Sequence, residues 1–323
     1  MVWHIAPRRG WPTYHAVERI MKRIGRITAI VAAVLLPLMG WLFLNRKEST
    51  VKLSRFHGRR IFDFIHGYLY FKWTSVYLRP VKFVLEHPGL FPGWIYNGAG
   101  KRLMQTHHSK VVTVETAKRL VSIEEPIISR NPEQVLPFER ARDIILQNPG
   151  SIAVTACACR QLSKDPCGPI DVCFVLGEPF VEFVTEHKKE VSRRVSVPEA
   201  LEILEREHEK GRVHTAWFKD AAGDRLYSIC NCCSCCCLGL NALSHGFGVV
   251  ASSGYIARVN EDACALCGSC DGVCQFGALD ALGPQVRIDD DKCMGCGVCV
   301  KVCPEGAISL QEDGDKPGPL VLP

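Results

Sequence analysis

Two copies of one cysteine spacing, C-x2-C-x2-C-x3-C, constrain this chain more than any other feature. They read Cys264-Ala-Leu-Cys267-Gly-Ser-Cys270-Asp-Gly-Val-Cys274 and Cys293-Met-Gly-Cys296-Gly-Val-Cys299-Val-Lys-Val-Cys303-Pro304. This spacing wraps a short loop around an iron–sulfur cube, because two-residue gaps let three sulfurs and several backbone N–H groups converge on one face of it. Zinc is the competing reading, but zinc motifs offer two C-x2-C pairs in place of runs of four. The flanks repeat as well. Arg258-Val-Asn-Glu-Asp-Ala-Cys264 is echoed by Arg287-Ile-Asp-Asp-Asp-Lys-Cys293, and Gly277-Ala278-Leu279 by Gly306-Ala307-Ile308. Repetition of strand, claw and small turn predicts a pseudo-twofold unit.

On these residues the stretch from about 255 to 312 resembles the bacterial-type ferredoxins that carry two 4Fe-4S clusters. The resemblance implies that three cysteines of one run hold a cube while the fourth crosses to the other. One ligand set would then be Cys264, Cys267, Cys270 and Cys303, and the second Cys293, Cys296, Cys299 and Cys274. Gln275 departs from the pattern, standing where that family places the proline that Pro304 supplies in the other half.

Ten further cysteines lie upstream in two groups: Cys157, Cys159, Cys167 and Cys173, then Cys230, Cys232, Cys233, Cys235, Cys236 and Cys237. Each group follows a strand-like apolar run, Ser151-Ile-Ala-Val-Thr155 and Arg225-Leu-Tyr-Ser-Ile229. Two strands that end in cysteine claws predict a shared metal pocket. Six cysteines in eight residues cannot all face one ion, since neighbouring side chains of an extended segment point opposite ways. The group reads as one or two additional iron–sulfur clusters, with structural zinc and a redox-active thiol or disulfide site as alternatives. Between the claws, Pro198 to His208 predicts a helix capped by Ser196, burying Leu201, Ile203 and Leu204 and closed by Gly211. Arg212 to Phe218 reads as a strand. Over about residues 107 to 320 the chain is similar to iron–sulfur proteins of anaerobic bacteria with a C-terminal ferredoxin module, on Cys-x-Cys-Arg160, Pro166-Cys-Gly-Pro-Ile-Asp-Val-Cys173 and Ile229-Cys-Asn-Cys-Cys-Ser-Cys-Cys-Cys237. That resemblance implies membrane-anchored electron transfer and supplies no substrate. Arg160 reads either as a donor to cluster sulfide or as an ordinary ion-pairing arginine.

Ile27 to Leu44 is uncharged and has about the length that crosses a bilayer with its flanks. No small-residue cleavage pattern follows Leu44, so an uncleaved anchor is expected over a signal peptide. Six Lys and Arg precede the span and six follow it closely, which leaves the positive-inside rule silent. Closely spaced thiols need a reducing compartment, which predicts a single-pass cell-membrane protein with cytoplasmic metal domains. The aromatic run Ile61 to Leu78 carries Asp63, His66 and Lys72 and reads as a helix at the headgroups or docked on a membrane-complex subunit. His57 and His66, nine apart and without a C-x2-C-H motif, do not predict haem.

Residues 1–110 carry 18 Lys and Arg against 4 Asp and Glu, whereas residues 255–323 carry 5 against 11. A basic redox partner at the acidic ferredoxin face is therefore expected, and nucleic acid is not. No G-x-G-x-x-G or phosphate-binding loop is present. The expected organisation is a membrane anchor (1–50), an amphipathic membrane-proximal segment (51–105), a cysteine-rich α/β metal domain (106–254), a two-cluster ferredoxin domain (255–312) and a tail (313–323). The expected class is mixed α+β and α/β behind a transmembrane helix. The function expected is an electron-transfer subunit passing electrons through two ferredoxin clusters and further central ones. A reductase whose pocket at 157–237 acts on a small substrate, and a scaffold with central zinc, are the alternatives.

Overall fold

Alternation along three strands decides the architecture. In β4 (Ile152–Ala156) and β5 (Asp171–Leu176), Ile152, Val154, Phe174 and Leu176 enter an aliphatic core, while Thr155, Cys173 and Val175 face the other way. In β8 (Arg225–Cys232), Leu226 and Ile229 join that core although they stand three positions apart, an odd spacing for one face of a strand. A register shift against β7 (Val213–Lys219) between Trp217 and Phe218 supplies the extra residue. Beyond the shift, Ser228, Cys230 and Cys232 share the opposite face.

The computed structural model describes residues 47–123, 127–129, 144–146 and 150–320, together with Ala33 and Gly40. The chain divides into two compact units, Met1–Glu48 and Ser49–Pro323. Among the described residues no helix is long and apolar enough to cross a membrane. The expectation of a transmembrane helix and a single-pass membrane location is corrected on that ground. The run expected to span, 27–44, lies outside the described residues apart from Ala33 and Gly40.

In the second unit the remaining strands are β1 (His107–Val111), β2 (Ile127–Ser129), β3 (Ile144–Leu146), β6 (Ser192–Arg194), β9 (Val250–Ala251), β10 (Tyr255–Val259), β11 (Leu279–Asp280), β12 (Arg287–Ile288) and β13 (Ile308–Glu312). Seven of them form one sheet in the order β6-β4-β5-β8-β7-β1-β9, antiparallel throughout except where β1 runs beside β9. The expected α/β alternation is thus realised as a mixed fold on a mostly antiparallel sheet. Strands such as β7 and β8 return on each other through a turn with Gly223 and Asp224 at positive φ.

The helices are α1 (Glu48–His57), α2 (Ile61–Lys72), α3 (Thr74–Glu86), α4 (Gly93–Thr106), α5 (Val114–Val121), α6 (Ala158–Leu162), α7 (Phe180–His187), α8 (Val197–Glu209), α9 (Leu238–Ser244) and α10 (Val298–Val302). α5 and α8 cover the aliphatic face, where Leu120, Ile203 and Leu204 are buried. Ser196 caps α8 by accepting from the Glu199 N–H at 3.4 Å, and Gly211 closes it at φ +73°. Each fully buried Leu or Ile contributes about 1.5–3 kcal/mol. The aromatic run expected at a membrane packs on the protein itself: Tyr68, Tyr70 and Phe71 are buried, and Phe71 stacks on Phe180 at 4.8 Å between centroids.

In the C-terminal region β10 pairs with β13 and β11 with β12, both antiparallel. The bidentate pair of Arg258 with Asp290, 2.5 and 3.0 Å, ties the first repeat to the second. Both claws need a left-handed residue at the same place, which is Leu266 (φ +50°) in one and Gly295 (φ +61°) in the other. A side chain at 295 would collide with the Tyr255 carbonyl and Ser253 Oγ, whereas Leu266 is exposed and held in a conformation that costs about 1–2 kcal/mol. Leu266→Gly is therefore expected to raise stability by about 1 kcal/mol in urea denaturation, and Gly295→Ala to lower it.

Lys110 ties β1 to the C-terminal region, donating to the carbonyls of Ser252 (2.6 Å) and Pro317 (3.2 Å). Burial pulls its ammonium from 10.5 down to about 8. The unfolded chain then binds more protons at this site between those values, so its contribution to stability rises with pH across pH 8–10. Thermal melts of Lys110→Met are expected to lose that part of the rise.

Candidate metal centre

Folding collects the cysteines into four groups. Cys274, Cys293, Cys296 and Cys299 line one small cavity of about 20 Å³. Cys270 faces Cys264, Cys267 and Cys303, and burial pushes its thiol up. The groups cross between the two runs, as the ferredoxin resemblance implies. Burial also pushes Cys299 up to about 12. Backbone donors follow the repeat: the N–H of Ala278 donates to Cys274 Sγ at 3.3 Å, and that of Ala307 to Cys303 Sγ at 3.2 Å. Ala257 N–H donates to Cys293 Sγ at 3.4 Å. Amide donors aimed at sulfur fit thiolates that carry cluster charge.

The ten central thiols separate six and four. Four of them, Cys167, Cys233, Cys235 and Cys236, place their Sγ atoms within 4.8 Å of one another. Measured separations are 3.3 Å (Cys167–Cys233), 3.8 Å (Cys167–Cys236) and 3.6 Å (Cys235–Cys236). A tetrahedral ion with bonds of about 2.3 Å to sulfur sets these edges at roughly 3.8 Å, so the spacing fits a single ion.

The other six form a closed circuit on the thiol face of the sheet. Cys157 contacts Cys159 and Cys173, Cys230 contacts Cys173 and Cys232, and Cys237 contacts Cys232 and Cys159. Thiols donating from both sides hold Cys157 and Cys230 well below the usual cysteine range, while their donors Cys159 and Cys173 are raised. Three other groups meet the sulfurs, Ser228 Oγ at Cys230 (3.5 Å), Thr215 Oγ1 at Cys232 (3.2 Å) and Leu238 N–H at Cys159 (3.5 Å), and within the circuit Cys237 lies 3.4 Å from Cys232. The circuit borders a cavity of about 120 Å³ roofed by Tyr70, Phe71, Leu78 and Val81. The Tyr70 and Tyr227 hydroxyls bond each other there, and burial raises both phenols.

Local structure explains the split. Cys230 and Cys232 alternate onto the sheet face, and the chain then turns, with Cys237 N–H donating to the Cys233 carbonyl at 3.0 Å. That turn throws Cys233, Cys235 and Cys236 to one side and returns Cys237 to the circuit as the residue before α9. Cys157 and Cys159 sit at the start of α6, Cys173 lies within β5, and Cys167 joins the four-thiol group.

Arg160 lies between the two central groups, only 1 % exposed. It donates to the carbonyls of Pro169 and Asn231 (3.0 Å) and to Glu207 Oε2 (3.4 Å). Burial disfavours its charge, but Cys157, Cys167, Cys233 and Cys173 outweigh that and hold the guanidinium firmly charged. Its Nε has no partner among the described residues. An orphaned buried donor beside thiolates fits an anionic cluster. Gln275, the departure from the ferredoxin pattern, bridges the regions: its Oε1 accepts from Ser234 N (2.8 Å) and Oγ (2.9 Å), and its Nε2 donates to the Gly211 carbonyl (3.1 Å). Ser234 belongs to the turn that carries Cys233 and Cys235, and Gln275 follows Cys274 directly.

The sequence reading missed Tyr70, Tyr227 and Glu207. Ser228 alone was legible, since it alternates with Cys230 and Cys232.

The 4Fe-4S binding domain family matches residues 286–309, which contain Cys293, Cys296, Cys299 and Cys303. No curated protein matches the chain, and no solved structure does. The C-terminal part is thus a ferredoxin-type domain that binds a 4Fe-4S cluster, and with its wealth of grouped thiols the chain is of the iron–sulfur electron-transfer kind.

Arg160 compensates the buried Glu207, which is fully enclosed and also paired with Lys210 at 3.2 Å. Arg160→Met is expected to cost about 3 kcal/mol in urea denaturation, because it leaves the buried Glu207 carboxylate paired with Lys210 but not with Arg160 and frees two carbonyls.

Proposed function

We propose that the chain passes electrons between a redox partner protein and a buried central metal centre through two 4Fe-4S clusters in its ferredoxin domain. The ligand sets are Cys264, Cys267, Cys270 and Cys303 for one cluster and Cys293, Cys296, Cys299 and Cys274 for the other. Bound clusters would supply one-electron redox chemistry at potentials set by burial and by N–H donors to sulfur. The chain's own residues do the rest. Ala257, Ala278 and Ala307 donate to ligand sulfurs. Gln275 fixes the ferredoxin region against the turn that carries the central cysteines.

The observation that carries this reading is the Gln275 bridge, because it sets a cluster ligand, Cys274, one residue from a contact with Ser234 between two central cysteines. The acidic excess of residues 255–323 suits a basic partner. The six-thiol circuit takes an iron–sulfur centre. The four-thiol group takes one tetrahedral ion, zinc or iron, on the strength of its Sγ spacing.

Iron, zinc and acid-labile sulfide in anaerobically purified protein test the reading. Two cubes account for about 8 Fe per chain, and a central cluster is expected to raise iron to about 12 or more. A total near 8 would overturn the central cluster, and the absence of labile sulfide would overturn the electron-transfer reading as a whole.

A further inference from the structure

Resting on the proposed electron path between the ferredoxin domain and the central pocket, we infer that Cys167, Cys233, Cys235 and Cys236 hold a single iron ion that relays one electron at a time between the two.

The size of the group is the first argument. Among the described residues, these four alone bring three or more Cys, His or carboxylate ligand atoms within 4.8 Å of one another. No three thiols of the ferredoxin runs do so, and a cube needs its ligands spread around it. Separations of 3.3, 3.6 and 3.8 Å lie at or just below the edge of roughly 3.8 Å that bonds of about 2.3 Å to sulfur give a tetrahedron. Four thiolates at that spacing select one ion, iron or zinc.

Position decides between the two metals. Ser234, between Cys233 and Cys235, donates its N–H (2.8 Å) and hydroxyl (2.9 Å) to Gln275 Oε1, and Gln275 is bonded to Cys274 of the ferredoxin region. One hydrogen-bonded contact is the only break in the bonded path between these thiols. Toward the centre, Cys233 and Cys236 line the cavity beside the six-thiol circuit. Arg160 faces Cys167 and Cys233 of the one group and Cys157 and Cys173 of the other. A structural ion needs no such double contact, and the segments are held without one. Cys237 N–H donates to the Cys233 carbonyl at 3.0 Å, and Arg160 grips the Pro169 carbonyl beyond Cys167. Zinc has no redox chemistry, so only iron uses this place.

Each transfer moves one electron. A reduced ferredoxin cluster loses it, the ferric ion becomes ferrous, and the ion then passes it to the central centre. The four thiolates stay bound throughout, and no proton moves.

The test compares the anaerobically purified full chain with Cys235→Ser, which removes the exposed ligand. In the wild type, iron is expected to exceed labile sulfide by about one per chain, because clusters carry the two in equal number and a lone ion carries no sulfide. Oxidised samples are expected to show a high-spin ferric signal in electron paramagnetic resonance that dithionite abolishes. Cys235→Ser is expected to lose that iron and that signal and to keep its sulfide. Zinc at about one per chain without the ferric signal would overturn the relay and leave the proposed function standing. A ferric signal that persists in Cys235→Ser would overturn the ligand set, and one that dithionite leaves unchanged would overturn the relay. Loss of sulfide from the wild type would instead overturn the proposed function. Should Cys235→Ser fail to fold, the wild-type metal content and the reducible ferric signal decide.

Discussion

A single guanidinium holds the cysteine-bearing segments of the central region together. Arg160 extends from the Cys157–Cys159 claw to the Pro169 carbonyl beside the Cys167 segment, to the Asn231 carbonyl in β8 and to Glu207 in α8. The bonds to Asn231 and Glu207 cross between stretches far apart in sequence, so the arginine sets distances among thiols that local spacing leaves free. Its charge is kept in the interior by Glu207 on one side and by cysteine sulfur on the other. Without those partners its burial would be costly. The thiol groups and the arginine therefore stabilise one another.

The sheet makes this possible by giving its two faces different chemistry. One face carries Ile, Val, Leu and Phe under α5 and α8, and contributes ordinary hydrophobic stability. The other carries thiols and hydroxyls under α2 and α3, where Tyr70 and Phe71 of the first and Leu78 and Val81 of the second supply apolar cover. The register shift at Trp217/Phe218 reconciles the two demands, keeping Leu226 and Ile229 in the core while turning Ser228, Cys230 and Cys232 toward the thiol-lined cavity. Burial on that side lowers the local dielectric and strengthens every N–H, O–H and guanidinium contact to sulfur.

The ferredoxin region is joined to this arrangement by a few polar ties. Gln275 grips the Ser234 turn, Lys110 reaches Ser252 and Pro317, and Lys301 pairs with Glu205 at 3.0 Å. Glu205 also pairs with Lys118 at 2.5 Å, and these two lysines hold its carboxyl down at about 2. Exposed pairs of this kind contribute little to stability, but they fix register, and register places Cys274 beside the central turn.

Some of this was legible in the residues. The doubled claw and its echo from Arg258 to Arg287 follow from short-range spacing, the crossing of the fourth cysteine was only what the ferredoxin resemblance implied, and the 4Fe-4S binding domain match falls on the second claw. Strands before each upstream cysteine group and the Ser196-capped helix were legible for the same reason, since alternation and capping act within a few residues. The transmembrane expectation was overturned because no described helix is long and apolar enough to cross a bilayer, and the aromatic run, judged by composition, gave no sign that Tyr70 and Phe71 would find partners in Tyr227 and Phe180 more than a hundred residues away. The division of ten thiols into six and four, and the conversion of Gln275 from an anomaly into a bridge, were decided only by the tertiary structure. Cysteine spacing fixes which sulfurs can meet locally, but which segments share a pocket depends on strand order, one register shift and a buried arginine, and these are set by packing across the whole sheet.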